Sequence, residues 1–366
     1  MIKYLKKFKL TSQYEEYINS DIAVLPNVSV TNDDNKVHYN PIPNYLKFTA
    51  EEDNSTIALK SKTFPDIKYR LNGGAWTQWH YGAITLNMGD TVYMKGNNSS
   101  GFSTSNSNYN KFQMTGKISA SGNIMSLLYE DDFEGKLTIP CNYCFYYMFY
   151  VCTSLTTAPE LPATTLAVNC YYDMFRGCTS LTTAPELPAT TLAVNCYGSM
   201  FYGCTALTTA PKLPATTLAN DCYYSMFECC TSLTTAPKLP ATTLANYCYQ
   251  FMFKDCTSLT TAPELPATTL KSACYDNMFN GCTSLTTAPK LPATTLTSSC
   301  YHYMFKGCKK LNSITCLATN ISATNCTTNW VSGVASSGTF IKAKTMTSWT
   351  SGVNGIPTGW TVQNAA

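Results

Sequence analysis

From residue 144 onward the apolar positions return on a fixed beat. Cysteines stand at 152, 178, 204, 230, 256, 282 and 308, and a second column stands at 144, 170, 196, 222, 248, 274, 300 and 326. Met-Phe pairs begin at 148, 174, 200, 226, 252, 278 and 304, so every column advances by 26. A period in the twenties marks stacked repeats, each too small to bury its apolar face alone. Within one unit, Leu155 and Ala158 open a short extended segment, and Leu161 and Leu166 point inward across the turn begun by Pro162. Cys170, Met174, Phe175 and Cys178 follow at i, i+4, i+5, i+8, which predicts one face of a short helix. Asn169 is placed as its N-cap and Gly177 as its C′ residue. Pro159 recurs in all six full units, and a proline inside a parallel ladder removes one hydrogen bond per rung. The strand is therefore expected to be very short, about 155–158.

The rest of the chain has other rhythms. Segments 45–50, 55–59, 66–71, 75–79, 83–86, 91–95 and 111–115 are strand candidates, and Asn72-Gly73-Gly74 is a hairpin signal between the third and fourth. Seven short strands in so short a span predict a small immunoglobulin-like β-sandwich. In residues 1–44, Ser12-x-x-Glu15 is a capping-box pattern opening a helix with Tyr14 and Tyr17. Strands 23–30 and 36–40 are expected to flank a turn at 31–35. The tail carries two apolar runs around a Gly/Pro turn and is expected to be a β cap. The predicted organisation is an attachment segment at 1–44, a sandwich at 45–124, an α/β solenoid at 125–333 with short strand and short helix in each rung, and a C-terminal cap at 334–366.

The unit Leu155, Ala158, Leu161-Pro162, Leu166, Cys170, Met174-Phe175, Cys178 resembles the BspA-like (Treponema-type) leucine-rich repeat of bacterial surface proteins, over roughly residues 137–333. Cys170 departs from that pattern, which has a branched aliphatic there, and Met174 departs from its Ala. The resemblance implies a leucine-rich-repeat solenoid and a β tail. Residues 1–44 resemble the leaders of virion proteins of tailed phages infecting gut anaerobes.

Charge and chemistry narrow the function. Charged residues are only 13% of the 366 and the formal net charge is +3. No basic run follows the first ten residues, so nucleic acid is not an expected partner. No apolar stretch of about 18 residues exists to span a membrane. Met1–Leu10 has no apolar h-region, so synthesis in a cytoplasm without a signal peptide is expected. Cys141-x-x-Cys144 is a lone pair with no second pair or His set to complete a zinc site, so no metal and no cofactor are expected. The column cysteines, identical in identical rungs, read as buried free thiols. No paired acids, phosphate loop or nucleophile motif is found, so an enzyme is not expected.

Among the six full rungs Thr156-Thr157, Ala163-Thr164-Thr165 and Tyr171 recur unchanged, and the Tyr column is expected to be either partly buried or available to stack on sugars. Variation concentrates on the face opposite Met174 and Cys178. There the candidate ligand-binding residues are Tyr172, Asp173, Arg176, Tyr202, Tyr224, Glu228, Gln250, Phe251, Lys254, Asp276, Asn277, His302, Tyr303 and Lys306. A rigid scaffold with a varied aromatic and polar face is how repeat proteins present a binding surface. The expected function is a non-enzymatic phage virion fibre or head-decoration protein, located on the virion surface. It would be a homo-oligomer anchored to a virion structural protein through Tyr14, Tyr17 and Val28, and its solenoid would bind a host-surface glycan or protein. The alternatives are a bacterial surface adhesin of the same repeat family and a purely structural spacer.

Overall fold

The computed structural model describes residues 43–366 and the backbone of 28–33 and 36–41, in two units, Met1–Asn44 and Tyr45–Ala366. In the first unit β1 (Val28–Asp33) and β2 (Lys36–Pro41) pair antiparallel with Asp33 opposite Lys36. The first strand thus runs through 31–33, positions expected to turn. The Ser12 helix with Tyr14 and Tyr17 lies outside the described residues. Val28 opens β1, of which only the backbone is described.

The second unit opens with β3 (Leu46–Ala50), β4 (Ser55–Lys60), β5 (Ile67–Leu71), β6 (Thr77–Trp79), β7 (Ile84–Leu86), β8 (Thr91–Lys95), β9 (Lys111–Thr115) and β10 (Ile118–Ser121). All seven expected strands are present, and β10 is an eighth. They form two antiparallel sheets, one ordered β6-β5-β8-β3-β10 and the other β7-β4-β9. Their inner side chains meet, with the Phe48 and Phe112 rings 5.2 Å apart. The strand order departs from the ABED and CFG sheets of an immunoglobulin domain, because the first strand lies beside β8 and the β9 strand lies beside β4. A four-residue helix, α1 (Ser126–Tyr129), follows.

From there the chain stacks rung on rung. β11 (Leu155–Thr157) pairs parallel with β10, so the first rung continues the larger sheet. Single parallel bridges then link Thr157, Thr183, Thr209, Thr235 and Thr261, and a second row links Thr138, Thr165, Thr191, Thr217 and Thr243. The strand side is as thin as the recurring proline requires.

The opposite side of each rung is not a helix. Among the described residues α1 is the only α-helix. In residues 169–178 the amides alternate between two partners. Those of 170, 172, 174, 176 and 178 donate to the carbonyl three residues back, and those of 169, 171, 173, 175 and 177 donate to the next rung, Tyr171 to Cys196 at 3.0 Å and Phe175 to Met200 at 2.9 Å. The even carbonyls in turn accept from the preceding rung, so every backbone donor and acceptor from 169 to 176 is paired. This geometry needs a left-handed residue at every fourth position: Asn169 (φ 56°), Asp173 (φ 53°) and Gly177 (φ 72°). The next rung repeats it with Asn195, Ser199 and Gly203. Asn, Asp and Gly carry the smallest penalty there, which is why they recur. Asn169 and Gly177 are therefore turn residues and not helix caps. The i, i+4 spacing that suggested a helix is a period of four produced by tandem turns.

The core is a set of ladders. Phe149, Phe175, Phe201, Phe227, Phe253, Phe279 and Phe305 stack with centroids 5.4–5.7 Å apart and planes within 10°. The Tyr column from Tyr171 to Tyr301 stacks beside them at 5.7–6.2 Å, and each of these tyrosines is 1% exposed. The thiols of Cys178, Cys204, Cys230, Cys256, Cys282 and Cys308 each donate at 3.0–3.1 Å to the Phe carbonyl of the preceding rung. Cysteine here is a small apolar residue that also satisfies a carbonyl. All 18 cysteines are free.

Neither end of the Phe ladder is open. Phe149 stacks on Phe112 of β9 at 5.4 Å, so the ladder runs into the two-sheet module. At the far end Trp330 closes on both Tyr301 and Phe305 at 6.2 Å and stacks on Trp349 at 5.6 Å. The tail adds strands to the stack: β12 (Ser313–Cys316), β13 (Thr339–Lys342) and β14 (Thr361–Asn364) are parallel and in register. Replacing Phe227, fully buried in a central rung, by Ala should cost about 3–5 kcal/mol through the cavity left behind. Phe149→Ala should cost a similar amount, because Phe149 has a ring on each side. Denaturant unfolding of both variants checks this, and a much smaller loss for Phe149→Ala would show that module and stack do not share one core.

Candidate ligand-binding surface

The four-residue turn period sends 170, 171, 174 and 175 inward and leaves 172, 173 and 176 along one outer stripe. The stripe is not uniformly exposed. Asp173, Glu228, Asp276 and Asn277 are buried, while Tyr172, Arg176, Tyr202, Tyr224, Gln250, Phe251, Lys254, His302 and Tyr303 are half-buried and Lys306 is exposed.

At the first rungs the stripe is aromatic. Tyr172 stacks on Tyr146 at 5.5 Å, Tyr146 on Tyr147 at 4.0 Å, and Tyr147 on Tyr150 at 4.6 Å. The Arg176 guanidinium lies 4.2 Å from the Tyr202 ring centre and 6.0 Å from that of Tyr150, and the Lys111 ammonium lies 4.9 Å from Tyr150. Cation–π contacts of this kind hold the cations over the rings. Tyr146, Tyr147 and Tyr150 sit one repeat length before 172, 173 and 176 and were readable from the sequence. They escaped because the first unit lacks the repeat's proline and threonine signature. Tyr109, from the loop before β9, packs edge-on to Tyr147 at 5.0 Å, and no spacing rule signalled it.

Further along, side chains of adjacent rungs pair with one another. Glu228 accepts from Lys254 at 2.6 Å and from Ser225 at 2.7 Å, and Phe251 packs edge-on to Tyr224 at 5.7 Å. Burial works against the Lys254 charge, but the Glu228 carboxylate more than offsets it and the pKa is raised. Asp276 accepts from Gln250 at 2.7 Å and Asn277 at 2.6 Å, and lies 3.0 Å from His302 Nδ1. Lys306 rests over Tyr303 at 4.7 Å. These groups are consumed by each other, so the aromatic end has the freer chemistry. Glu228, Cys229 and Asp255 bring ligand-type atoms within 4.8 Å, but Lys254 already pairs with both carboxylates, at 2.6 and 3.3 Å, and supplies the positive charge a cation would bring.

The positions that recur unchanged have structural roles. The Thr rows are bridge residues, and Thr208 and Thr260 also donate to the carbonyls of Thr182 and Thr234. The Tyr column is buried, which removes it as a platform for sugars.

The stack, its 26-residue step and its Leu, Phe and Cys columns agree with the family comparison. Six copies of the BspA type leucine-rich repeat region match residues 142–286 and 225–328, together just over half of the chain. The chain belongs to the BspA-type leucine-rich repeat family. No curated protein and no solved structure matches it. Membership of this family assigns the repeat block to a type of scaffold associated with surface and adhesion proteins.

Asp173 makes the stripe pH-sensitive. Burial raises its pKa to about 6, against the opposing pull of Arg176, whose guanidinium is 3.4 Å away. The folded state therefore binds the proton more tightly than the unfolded state. This contribution is complete below about pH 4 and is lost as pH rises through about 6. Relative to Asp173→Asn, the native chain should lose up to about 3 kcal/mol of stability between pH 4 and 7.5. Paired denaturant titrations at the two pH values measure the difference, and a pH-independent gap would mean that Asp173 is solvated as an ordinary carboxylate.

Proposed function

We propose that this chain is a non-enzymatic binding protein of a phage virion, a fibre or head-decoration protein, whose leucine-rich-repeat solenoid presents its varied stripe to a host-surface glycan or protein. The observation that carries the reading is the run of stacked rings Tyr172, Tyr146, Tyr147 and Tyr150, with Arg176 between Tyr150 and Tyr202 and Lys111 over Tyr150. Aromatic rings bring large contact area at low entropic cost, and a scaffold whose amides are bonded from rung to rung holds them still. Family membership supports the coarser statement, a repeat-based surface or adhesion protein. That coarser statement favours a second reading, the same stripe displayed on a bacterial cell surface. On the virion reading, residues 1–44, with Tyr14, Tyr17 and Val28 as apolar anchors, dock on a virion structural protein. Assembly as a homo-oligomer would then add avidity to several weak sites.

The test is binding of the fluorescently labelled full chain to a panel of gut anaerobic bacteria. Binding to some strains is expected, with at least a tenfold loss in the Tyr172→Ala/Tyr202→Ala double variant at unchanged melting temperature. Undiminished binding by that variant would remove the stripe from the account. Incorporation into particles separates the two display readings: deletion of residues 1–44 should abolish it, and a chain never found on particles would leave the cell-surface reading.

A further inference from the structure

We propose that the two-sheet module carries a carbohydrate-binding cleft of its own, remote in sequence from the stripe and independent of it. The loop after β4 and the connection from β6 to β7 form a cleft of about 500 Å³ lined by residues 62–66 and 78–81, among them Lys62, Phe64, Asp66, Gln78, Trp79 and Tyr81. The aromatic part is built from the core outward. Trp79 is 3% exposed, stacks on Phe112 at 6.5 Å, and donates its Nε1 hydrogen to the Gly82 carbonyl at 3.2 Å. Phe64 meets Trp79 edge-on at 5.5 Å, and Tyr81 lies 5.2 Å from Phe64. Yet Tyr81 is 83% exposed, the largest exposure among the large apolar side chains of the described residues. Phe64 backs one side of the ring, and most of its surface is left to water. Nothing in the packing of the module calls for an aromatic residue there.

The polar part is similarly pre-set. Asn98 clamps the loop, accepting from the Asp66 amide at 3.0 Å and donating to the Asp66 carbonyl at 2.7 Å. Gln78 Nε2 donates to Asp66 Oδ1 at 2.9 Å and to the Ile67 carbonyl at 3.0 Å. Both amide hydrogens are thereby used, and the Gln78 oxygen and the second Asp66 oxygen keep acceptor capacity with no donor among the described residues. An exposed ring with a negative face attracts the C–H edge of a pyranose, and acceptors beside it suit the sugar's hydroxyls. Lys62 and Asp66 bring one charge of each sign to the lining, so the cleft favours neither an anion nor a cation and the ligand class is a neutral glycan. A cleft this open, with one exposed ring, binds weakly, with a Kd on the order of 1 mM.

The experiment is saturation-transfer NMR on the full chain with the methyl glycosides of glucose, galactose, mannose and N-acetylglucosamine as probes. Saturable transfer to at least one is expected. It should weaken at least tenfold in Tyr81→Ala, persist in Tyr81→Phe, and be unchanged in Tyr172→Ala/Tyr202→Ala. Transfer to none of the four, or transfer that survives Tyr81→Ala, would overturn the proposal. Loss in the stripe variant with Tyr81 intact would also overturn it, by moving the sugar to the stripe.

Discussion

An amide can donate to its own rung or to the next one, and in this protein successive residues take turns. From 169 to 177 the odd amides hold the neighbouring rung and the even ones close local turns. An α-helix would direct each interior amide to the carbonyl four residues back and leave none to join rungs except at its ends. The alternation makes every rung a template for its neighbour. A rung of another length would offset the donors from the acceptors, which is a physical reason for a strict 26-residue step. The cost is a left-handed residue at every fourth position, roughly 1–2 kcal/mol for a side chain other than Gly, less for Asn and Asp. It is offset only when the rungs on both sides are present.

That backbone registers the side chains. Identical residues in successive rungs lie above one another, so Phe stacks on Phe and Tyr on Tyr with nearly parallel planes. The column thiols reach back to the Phe carbonyls, and burial pushes the Cys204 and Cys308 thiols up to about 12. They are thus held as neutral thiols far from the reactive thiolate form. The ends obey the same rule. The two-sheet module offers Phe112 to the ladder at one side and Trp330 closes it at the other, so the core is continuous where a bare terminal rung would face water.

Much of this was legible in the sequence. Column spacing identified the repeat, the family and the buried Leu, Met, Phe and Cys positions, and strand alternation located seven of the eight strands of the two-sheet module. The helix was misread because 170, 174 and 178 satisfy a period of four as readily as one of 3.6. The distinguishing signal was present, since Asn, Asp, Ser and Gly recur at 169, 173 and 177 and their equivalents, where a helix would disfavour them. The strand order departed from the immunoglobulin arrangement because alternation within strands says nothing of which strands pair. On the stripe, sequence variation picks out one outer side of the rung, but it does not separate residues that bond to one another, such as Gln250, Asp276 and His302, from rings that remain partly exposed. Buried polar pairs between adjacent rungs vary together as readily as a binding surface does.

The measurement that bears most directly on the alternating ladder is residue-resolved hydrogen exchange across 169–177 and its equivalents in the central rungs. Both sets of amides should be protected, odd and even alike, and should exchange together when the stack opens. If the odd amides exchange as fast as exposed ones while the even ones stay protected, the rungs are not joined through their turns. If instead protection is missing from the first amides of each segment and continuous after them, the segment is a helix, and this account of the repeat is wrong.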